Sequence, residues 1–458
     1  MMKIKYIVGM MSVALLLASC KVGKGYVRPD MELPDSLAAQ QDSVSMADLN
    51  WQKVYTDSTL RVLIARALEH NKDMQIAVTR IKQMAAEKRI SIANLLPQLN
   101  TRVEAERDME NYGGHDRDIS NSYEAKALLS WEIDLWGNLR WKKAAAVSDY
   151  LKSIESQRAL RMTIVSEVAK AYYELVALDA ELDIVRRTQQ AREEGVRLAR
   201  IRFEGGLTSE IPYQQAQVEM ARTATLVPDL ERRISLKEND LAFLAGTFPT
   251  KIERSRFLKE LNVPQSLPVG LPSGLLERRP DIRAAEQGLK AAHARVKVAY
   301  TNMFPRLTLT GQFGLESSTL TNFLESPTSL INGALISPLF NWGKNRAALK
   351  AQKAAFEAEV HSYEKSVLNA FKEARNAIVD FNKIKEVYEL RVKLERSAKN
   401  YVELAQLQYI KGFINYMDVI DAQRGYFDAQ IGVSNAIRDE LIAVVNVYKA
   451  LGGGWQMQ

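Results

Sequence analysis

The sequence predicts an α+β membrane protein, a trimeric 12-stranded β-barrel with four strands per chain, continued by a long α-helical barrel. Three observations lead to this prediction: an internal duplication that predicts four strands, a regular alternation of apolar and polar residues in three of them, and two helical patterns of about 70 residues each. Together they predict the order helix, β-hairpin, very long helix, helical turn and return helix, present twice.

Two glycine turns reveal the duplication. The stretch Phe203-Glu-Gly-Gly-Leu-Thr-Ser-Glu-Ile-Pro-Tyr-Gln-Gln-Ala-Gln217 aligns with residues 409–423 at a constant offset of 206. This alignment places Gly206 on Gly412. A repeat with a fixed period indicates two equivalent halves of one assembly and not a series of unrelated domains.

The repeats predict the boundaries along the chain. We expect a signal peptide at 1–19, a lipid-anchored lead-in at 20–56, a first repeat at 57–250, a linker at 251–271, a second repeat at 272–451 and a C-terminal tail at 452–458. The lead-in is polar and contains Pro29 and Pro34, so we expect it to be extended and to have no core of its own.

Composition excludes two classes of function. The chain has 458 residues with 62 basic and 55 acidic side chains, and both signs are mixed along the helical patterns. A nucleic-acid-binding module would instead cluster its basic residues, so we expect no nucleic-acid partner. The four histidines are scattered, there is one cysteine, and no glycine-rich phosphate loop or nucleophile with a plausible partner stands out. We therefore expect no enzymatic activity, no cofactor and no metal site.

The N-terminus has the features of an exported precursor. Lys3 and Lys5 precede an apolar run at residues 7–18, which is too short to span a bilayer core of about 30 Å. The following Leu-Ala-Ser-Cys20 resembles the bacterial lipobox, whose cysteine is acylated, although a plain signal peptide with an incidental cysteine is the alternative. A lipid on Cys20 would hold the mature protein on a membrane surface. The residue after Cys20 is Lys21 and not an aspartate, and this resembles the sorting pattern of lipoproteins that go to the outer membrane.

Three segments have the period-two alternation of β-strands. The first begins at Leu99, and the second, after a glycine turn, includes 123–135. In the second repeat a third begins at Leu307, and a fourth strand is expected to end at Phe340, because residues 340–343 correspond to the end of the second strand. The alternating strands would have one apolar and one polar face, which suits a membrane barrel but also a soluble sheet packed on helices. The alternation alone leaves both alternatives open.

The two longest helical patterns have no compact domain to bury them. Residues 138–204 contain no proline and only one glycine, and apolar residues such as Val165, Val168 and Tyr172 follow heptad spacing. A helix of that length extends about 100 Å. The second repeat has the same pattern 206 positions later, and a return helix is expected at 209–245 in the first. Such helices require partner helices.

Strands and helices therefore both require several copies of the chain. Four strands cannot close a barrel, because about eight is the smallest number whose interior packs, and open strand edges are not tolerated in hydrocarbon. Three copies would supply twelve strands, enough for an open lumen, and would gather the long helices into a hollow cylinder. We therefore predict a homotrimer.

Several motifs, taken in order, resemble one family. They are the block Arg278-Arg-Pro-Asp-Ile-Arg-Ala-Ala-Glu286, the Asn-x-x-Pro-x-Leu pair beginning at Asn94 and Asn302, the Trp-Gly pair ending at Gly137 and Gly343, and the tips Gly206-Leu-Thr-Ser209 and Asp418-Val-Ile-Asp-Ala-Gln423. With them, nearly the whole chain after Cys20 resembles the lipidated TolC-like outer-membrane efflux proteins. The resemblance implies a trimer with an outer-membrane β-barrel and a periplasmic α-helical tunnel. It also implies docking onto a periplasmic adaptor (membrane fusion protein) and an inner-membrane RND-type pump.

The function implied is a passive exit duct for small molecules in a tripartite efflux pump. Two alternatives stay open: the outer-membrane exit of a type I protein secretion system, and a periplasmic coiled-coil scaffold without a pore. The first would differ in the transporter that it serves. The second would be soluble without detergent and would conduct no ions.

Two carboxylates follow the second glycine turn. Asp418 and Asp421 are three residues apart at the start of a helix, so they share one face. The resemblance implies that this acidic pair lines a constricted periplasmic end, where six carboxylates of a trimer would attract cations. The alternative for Asp418 is a role in capping the helix that begins after Asn415. Tyr409, whose counterpart Phe203 lacks the hydroxyl, is predicted to latch the closed tip.

The turn residues themselves are predicted to contact the adaptor. Leu207 and Phe413 are apolar and would be exposed unless a partner covers them. The adjacent glycines permit a positive φ. The expected contact residues are Gly205, Gly206, Leu207, Thr208, Ser209, Gly412, Phe413 and Ile414. Where this chain has Ile414 the resembling proteins often have an arginine, so their salt-bridge latch is not expected here in the same form.

Overall fold

A computed structural model describes residues 22–34, 45–110, 118–254, 258, 267–268 and 274–456. The predicted signal peptide and Cys20 lie outside these residues. The helices and strands are, in chain order, α1 (Trp51–Val54), α2 (Ser58–His70), α3 (Lys72–Ala93), β1 (Gln98–Glu110), β2 (Asp118–Ile133), α4 (Asn138–Glu204), α5 (Ile211–Ala224), α6 (Leu226–Leu244), α7 (Gly274–Arg278), α8 (Pro280–Thr301), β3 (Arg306–Ser317), β4 (Pro327–Ile336), α9 (Lys344–Ile410) and α10 (Tyr416–Ala450). None of the described helices combines the length and the apolarity that a membrane span requires.

The four strands form one antiparallel sheet in the order β1-β2-β3-β4. Residues that pair directly point to the same face, so Leu99 and Leu129 lie together on one side of the sheet. Glu104 and Glu124 lie together on the other side. The expected alternation is confirmed for β1, β2 and β3, which share one apolar and one largely polar face.

The fourth strand ends earlier than expected. β4 ends at Ile336, whereas the correspondence between the repeats predicted a strand that continues to Phe340, and this prediction was wrong. Pro338 explains the difference, because proline has no N–H for the sheet ladder and its ring fixes φ. Leu339 and Phe340 lie beyond the sheet and are exposed.

The two β-hairpins, β1-β2 and β3-β4, have equivalent registers. Gln98 pairs with Ser130 in the first hairpin. Arg306, 208 positions after Gln98, pairs with Ile336, 206 positions after Ser130, in the second. The offset of 206 between the glycine turns and the offset of 208 between Asn94 and Asn302 therefore also hold for the hydrogen-bonded pairs of the sheet.

One compact unit contains the sheet and consists of the described residues within 1–31, 79–154 and 284–365. The chain leaves β2 through Trp136, whose ring stacks on Phe304 with centroids 5.1 Å apart and whose Nε1–H donates to the Pro305 carbonyl at 2.8 Å. Trp141, in the first turn of α4, donates its Nε1–H to the Val22 carbonyl at 2.9 Å. The N-terminal segment is thus fixed close to the end of β2.

The second compact unit is helical and consists of the described residues within 32–78, 155–283 and 366–458. The heptad positions predicted on α4 belong to its core, since Val165, Val168 and Tyr172 are at most 1% exposed. Asp57 caps α2 by accepting the Leu60 N–H at 3.0 Å. It also accepts the Tyr172 hydroxyl at 3.1 Å, so the cap connects α2 to the core of the unit.

The return helix expected at 209–245 is two helices, because α5 ends and α6 begins on either side of Thr225. Pro228 lies in the first turn of α6, where the backbone N–H that proline lacks would have no hydrogen-bond partner within the helix. A continuous helix would instead lose a hydrogen bond there, and the proline ring would clash with the carbonyl four residues earlier. The equivalent position in the second repeat is Ser434, and α10 is continuous through it.

Candidate functional site

The two predicted tips are helix C-terminal turns of the Schellman type. Gly206 after α4 has φ +68° and Gly412 after α9 has φ +82°. In both turns the N–H of the following residue donates to the carbonyl five residues before it, at 2.8 Å for Leu207 and 2.9 Å for Phe413. Gly205 does not adopt a positive φ, so only one glycine in each turn uses the left-handed region.

The turns expose large apolar side chains. Leu207 is 70% exposed and Phe413 is 75% exposed. Ser209 is exposed as well, while the Thr208 hydroxyl is buried without a hydrogen-bond partner in the part of the chain that the structure describes. Ile414 differs from the other tip residues, because it is half-buried against a small apolar cluster between α9 and α10.

The two acidic residues of α10 have different surroundings. Asp418 lies in the first turn, and its Oδ2 accepts the Asn415 N–H at 3.0 Å, so this carboxylate has a capping role. Asp421 lies one turn later, its side chain is 59% exposed, and its Oδ1 is 3.5 Å from Nη1 of Arg424. Capping therefore explains the position of Asp418 and does not explain Asp421.

Tyr409 lies in the last turn of α9. Its ring centroid is 5.2 Å from that of Tyr416, and the Arg202 guanidinium lies 4.9 Å from it in a cation–π arrangement. The Tyr409 hydroxyl is buried and has no hydrogen-bond partner among the described residues. A buried hydroxyl without a partner is costly, so a group supplied from outside the chain would stabilise it.

An ion-pair network that sequence reasoning missed connects α4, α5 and α10 beside these carboxylates. Glu219 on α5 has a side chain only 5% exposed, and its Oε1 accepts from Nη2 of Arg424 at 2.5 Å. Its Oε2 is 3.1 Å from Nη1 of Arg192 on α4. The hydrogen bond from Arg424 lowers the pKa of the Glu219 carboxyl, although burial opposes the shift.

Arg424 is therefore shared between a buried carboxylate and an exposed one. The three-residue spacing of Asp421 and Arg424 on a helix is a signal that sequence reasoning could have used. Glu219 gave no such signal, because only the packing of α5 near α10 brings it to Arg424.

A cavity of about 450 Å³ lies beside this network. Its lining is formed by residues of α5 and α10 and by Glu210: Glu210, Ile211, Gln214, Gln215, Val218, Glu219, Met417, Ile420 and Arg424. In the described part of the chain, no group of three or more His, Cys, Asp or Glu side chains could hold a metal ion. The cavity lining therefore provides charged side chains for ion pairing and apolar side chains for hydrophobic contact.

Comparison with known proteins finds relatives over nearly the whole chain. The family model described as outer membrane efflux protein matches residues 63–247 and 271–453, more than half of the chain. Outer membrane protein OprJ of Pseudomonas aeruginosa is 31% identical over 459 residues, which cover 97% of this chain and 95% of that protein. Toluene efflux pump outer membrane protein TtgF of Pseudomonas putida is 33% identical over 419 residues, which cover 89% of this chain and 86% of that protein.

Solved structures share the fold over a similar extent. The outer-membrane channel OprN superposes with a TM-score of 0.90 at 27% identity, covering 95% of this chain and 100% of that chain. The open state of the Neisseria gonorrhoeae MtrE outer membrane channel gives a TM-score of 0.84 at 28% identity, covering 95% and 99%. The similarity thus includes both the sheet and the helices.

Proposed function

Because the chain belongs to the outer membrane efflux protein family, we propose that three copies of it assemble into the exit duct of a tripartite efflux pump. The protein is an outer-membrane efflux component whose helical part lies in the periplasm. Three further features are proposed: the protein forms a trimer, the trimer closes a barrel of twelve strands, and both repeats of the chain originate from one duplicated unit. The family acts in efflux and not in catalysis.

The sheet is the observation that carries the proposal. Strands β1, β2 and β3 share one apolar and one largely polar face, and β1 and β4 each pair on one side only within the described strands. An open edge leaves backbone N–H and C=O groups without partners, and hydrocarbon does not tolerate this. Further copies would supply those partners and close a barrel with polar side chains in the lumen and apolar side chains towards lipid.

A lipid on Cys20 is the proposed membrane anchor. Val22, two residues after Cys20, is held by Trp141 close to the end of β2. An acyl chain on Cys20 would therefore enter the membrane beside the strand ends and add to the attachment that the barrel provides. Mass spectrometry of the mature N-terminal peptide should find an acylated Cys20, and an unmodified cysteine would contradict the anchor.

The helical tips are the proposed contact with a periplasmic adaptor, through which the duct would serve an inner-membrane RND-type pump. The exposure of Leu207 and Phe413 supports this, because a partner that covers large apolar side chains removes them from water. Asp421 is the proposed main cation-attracting residue of the gate, since it is exposed and free of a capping role. Asp418 adds charge to the gate, and Tyr409 is the proposed latch.

Two measurements on detergent-purified protein test the proposal. Light scattering should give a protein mass about three times that of the mature chain, and planar bilayers should show ion conduction. A monomer, or a particle that conducts no ions, would contradict an exit duct. A non-conducting particle that is soluble without detergent would support the scaffold alternative.

A further inference from the structure

Basic residues are concentrated where the long helices join the sheet. Four helices meet the same edge of the sheet, because α3 and α8 end before β1 and β3, and α4 and α9 begin after β2 and β4. Three turns of each helix, together with the residues that join it to its strand, contain eleven basic and three acidic residues in total. We call these segments the basic zone: 83–97, 134–149, 291–305 and 337–355.

This excess of positive charge is local. The chain as a whole has 62 basic and 55 acidic residues, so the two signs are nearly balanced. The segments around the two glycine turns, 195–220 and 403–428, contain five basic and seven acidic residues. All four segments of the basic zone belong to the first compact unit, which also contains the sheet. The chain therefore places its strongest positive charge beside the strands.

Most of these charges have no counter-charge within the chain. Arg140 pairs with Asp134 at 3.1 Å, and Arg295 pairs with Asp149 at 2.6 Å. The other nine basic side chains of the basic zone form no ion pair among the described residues. Such a surface attracts anions, because nothing in its own neighbourhood neutralises it.

The beginning of α9 shows the excess most clearly. Its first three turns carry four exposed basic side chains and no acidic one: Lys344, Arg346, Lys350 and Lys353. Arg346 and Lys350 are four residues apart, so they repel each other on the helix surface. The N-terminus of a helix is itself positive, and basic residues in the first turn are unfavourable there. A negatively charged partner would relieve both repulsions.

Aromatic side chains place the basic zone at a membrane surface. Four of the six tryptophans of the chain lie in or beside it: Trp131, Trp136, Trp141 and Trp342. Tryptophan is enriched where a membrane protein passes from hydrocarbon to headgroups. The strands have 13, 16, 12 and 10 residues, enough to cross a bilayer, which takes about 9–11 residues of tilted strand. The helices therefore begin at the level of the headgroups.

We propose that the basic zone binds the anionic phosphate headgroups of the periplasmic leaflet of the outer membrane. The inference rests on the proposed function, because it requires the sheet to cross the membrane as part of a barrel. Lysine and arginine bind phosphate through charge-assisted hydrogen bonds. The attraction falls off within a Debye length of the surface, so it selects the residues that directly follow the strands.

Two observations favour lipid as the partner. The basic zone contains the tryptophans that mark the interface, so its charges lie beside headgroups. Trp141 also holds Val22, two residues after the proposed acylated Cys20, and thus brings the lipid anchor to the same level. Basic side chains are costly in hydrocarbon and are attracted to phosphate. The basic zone would therefore fix the depth of the barrel in the membrane.

Native mass spectrometry of detergent-purified protein tests this binding. The protein is offered equal amounts of phosphatidylglycerol, which is anionic, and phosphatidylcholine, which has no net charge, with the same acyl chains. The wild-type protein should retain more phosphatidylglycerol. The fourfold variant Lys344→Gln/Arg346→Gln/Lys350→Gln/Lys353→Gln should lower the ratio of the two bound lipids by at least about fivefold, the factor that one basic residue at an anionic surface contributes.

The same helix offers a matched control. Lys393→Gln/Arg396→Gln/Lys399→Gln/Lys411→Gln removes three lysines and one arginine from exposed positions in the last third of α9 and just after it. These four side chains also form no ion pair in the part of the chain that the structure describes. The control variant should keep the lipid ratio of the wild type. Higher ammonium acetate concentration should weaken the preference of the wild type, because salt screens the attraction.

Three results would overturn the proposed lipid site. They are equal retention of both lipids by the wild type, equal losses in the fourfold and control variants, and a fourfold variant that keeps its lipid ratio but loses binding to purified peptidoglycan. The last result would assign the surface to the cell wall. If the fourfold variant does not assemble, Lys350→Gln/Lys353→Gln must still lower the lipid ratio.

Light scattering and bilayer recordings on the same samples separate this inference from the proposed function. A trimer that conducts ions but shows no preference for phosphatidylglycerol would overturn the lipid site alone. A monomer that conducts no ions would contradict the exit duct, and the lipid site with it.

Discussion

Replacing Glu219 with glutamine is expected to weaken the block of the channel by multivalent cations at the proposed gate. Nη2 of Arg424 is 2.5 Å from Glu219 Oε1, while Nη1 is 3.5 Å from Asp421 Oδ1. Without the charge of Glu219, the guanidinium should pair more closely with Asp421 and neutralise it. Arg192, which also faces Glu219, keeps its hydrogen bond to the Glu219 carbonyl at 2.8 Å in this variant, so the buried guanidinium retains a partner.

The exposure of the pair determines the size of the effect. The side chains of Asp421 and Arg424 are 59% and 37% exposed, so their ion pair contributes the modest free energy of a surface pair, about 0.2–1 kcal/mol. Since 1.4 kcal/mol corresponds to a factor of ten, cation affinity at Asp421 should fall by up to about fivefold. Arg424→Gln removes the competing positive charge, and the block should become stronger by a similar factor.

Single-channel recordings in planar bilayers, with La³⁺ on the side of the helical tips, measure these affinities. In the Arg424→Gln background, Glu219→Gln should have no further effect, because Glu219 acts through Arg424. Glu210→Gln removes the same charge from the lining of the same cavity and should leave the block nearly unchanged. Additive effects of Glu219→Gln and Arg424→Gln would refute the reasoning, since each residue would then act directly through space.

Simultaneous replacement of Asp418 and Asp421 with alanine should weaken cation block in the same recordings, and an unchanged block would remove the gate assignment. Gly206→Asp adds charge and strain at a φ of +68° and should reduce crosslinking of the tip to an adaptor, whereas intact crosslinking would count against that contact. Asp57→Ala should lower the free energy of unfolding by about 2–4 kcal/mol, because it removes a helix cap and leaves the buried Tyr172 hydroxyl unpaired. Guanidinium unfolding followed by circular dichroism measures this loss, and Asp57→Asn, which keeps an acceptor, should lose clearly less.

The long elements of this fold could be predicted from the sequence because each contains its periodic signal many times. α4 has the bounds expected from the absence of proline, Asn138–Glu204. The period-two alternation likewise predicted which residues of β1, β2 and β3 share a face of the sheet, and the paired registers confirm it. In both cases a single exceptional residue does not change the average over the segment.

The errors arose at single residues. Pro228 divides the expected return helix, and Pro338 ends β4 before Phe340. Both prolines were visible in the sequence, and the local rules for proline would have located each boundary. The return helix was expected to be continuous and the end of β4 was taken from the first repeat, and neither inference considered the proline at that position.

The ion-pair network could not be predicted in the same way. Glu219 and Arg424 are far apart in the sequence and become partners only through the packing of two return helices. The repeat alignment gives no help, because it pairs Glu219 with Gly425 and Arg424 with Val218. The network is specific to the junction of the first repeat with the second.

The proposed trimer would explain why equivalent residues of the two repeats differ in exposure. In it each repeat would have a neighbour on both sides, whereas one polypeptide with two repeats forms only one of the two junctions internally. Trp136 has its stacking partner at the internal junction, whereas Trp342 stands at the chain's open side and is exposed. Such differences in burial between equivalent residues support the proposed assembly of several copies. Differences in residue type, such as Asp421 against Gln215, instead support the proposed gate, which would use the carboxylate of one repeat.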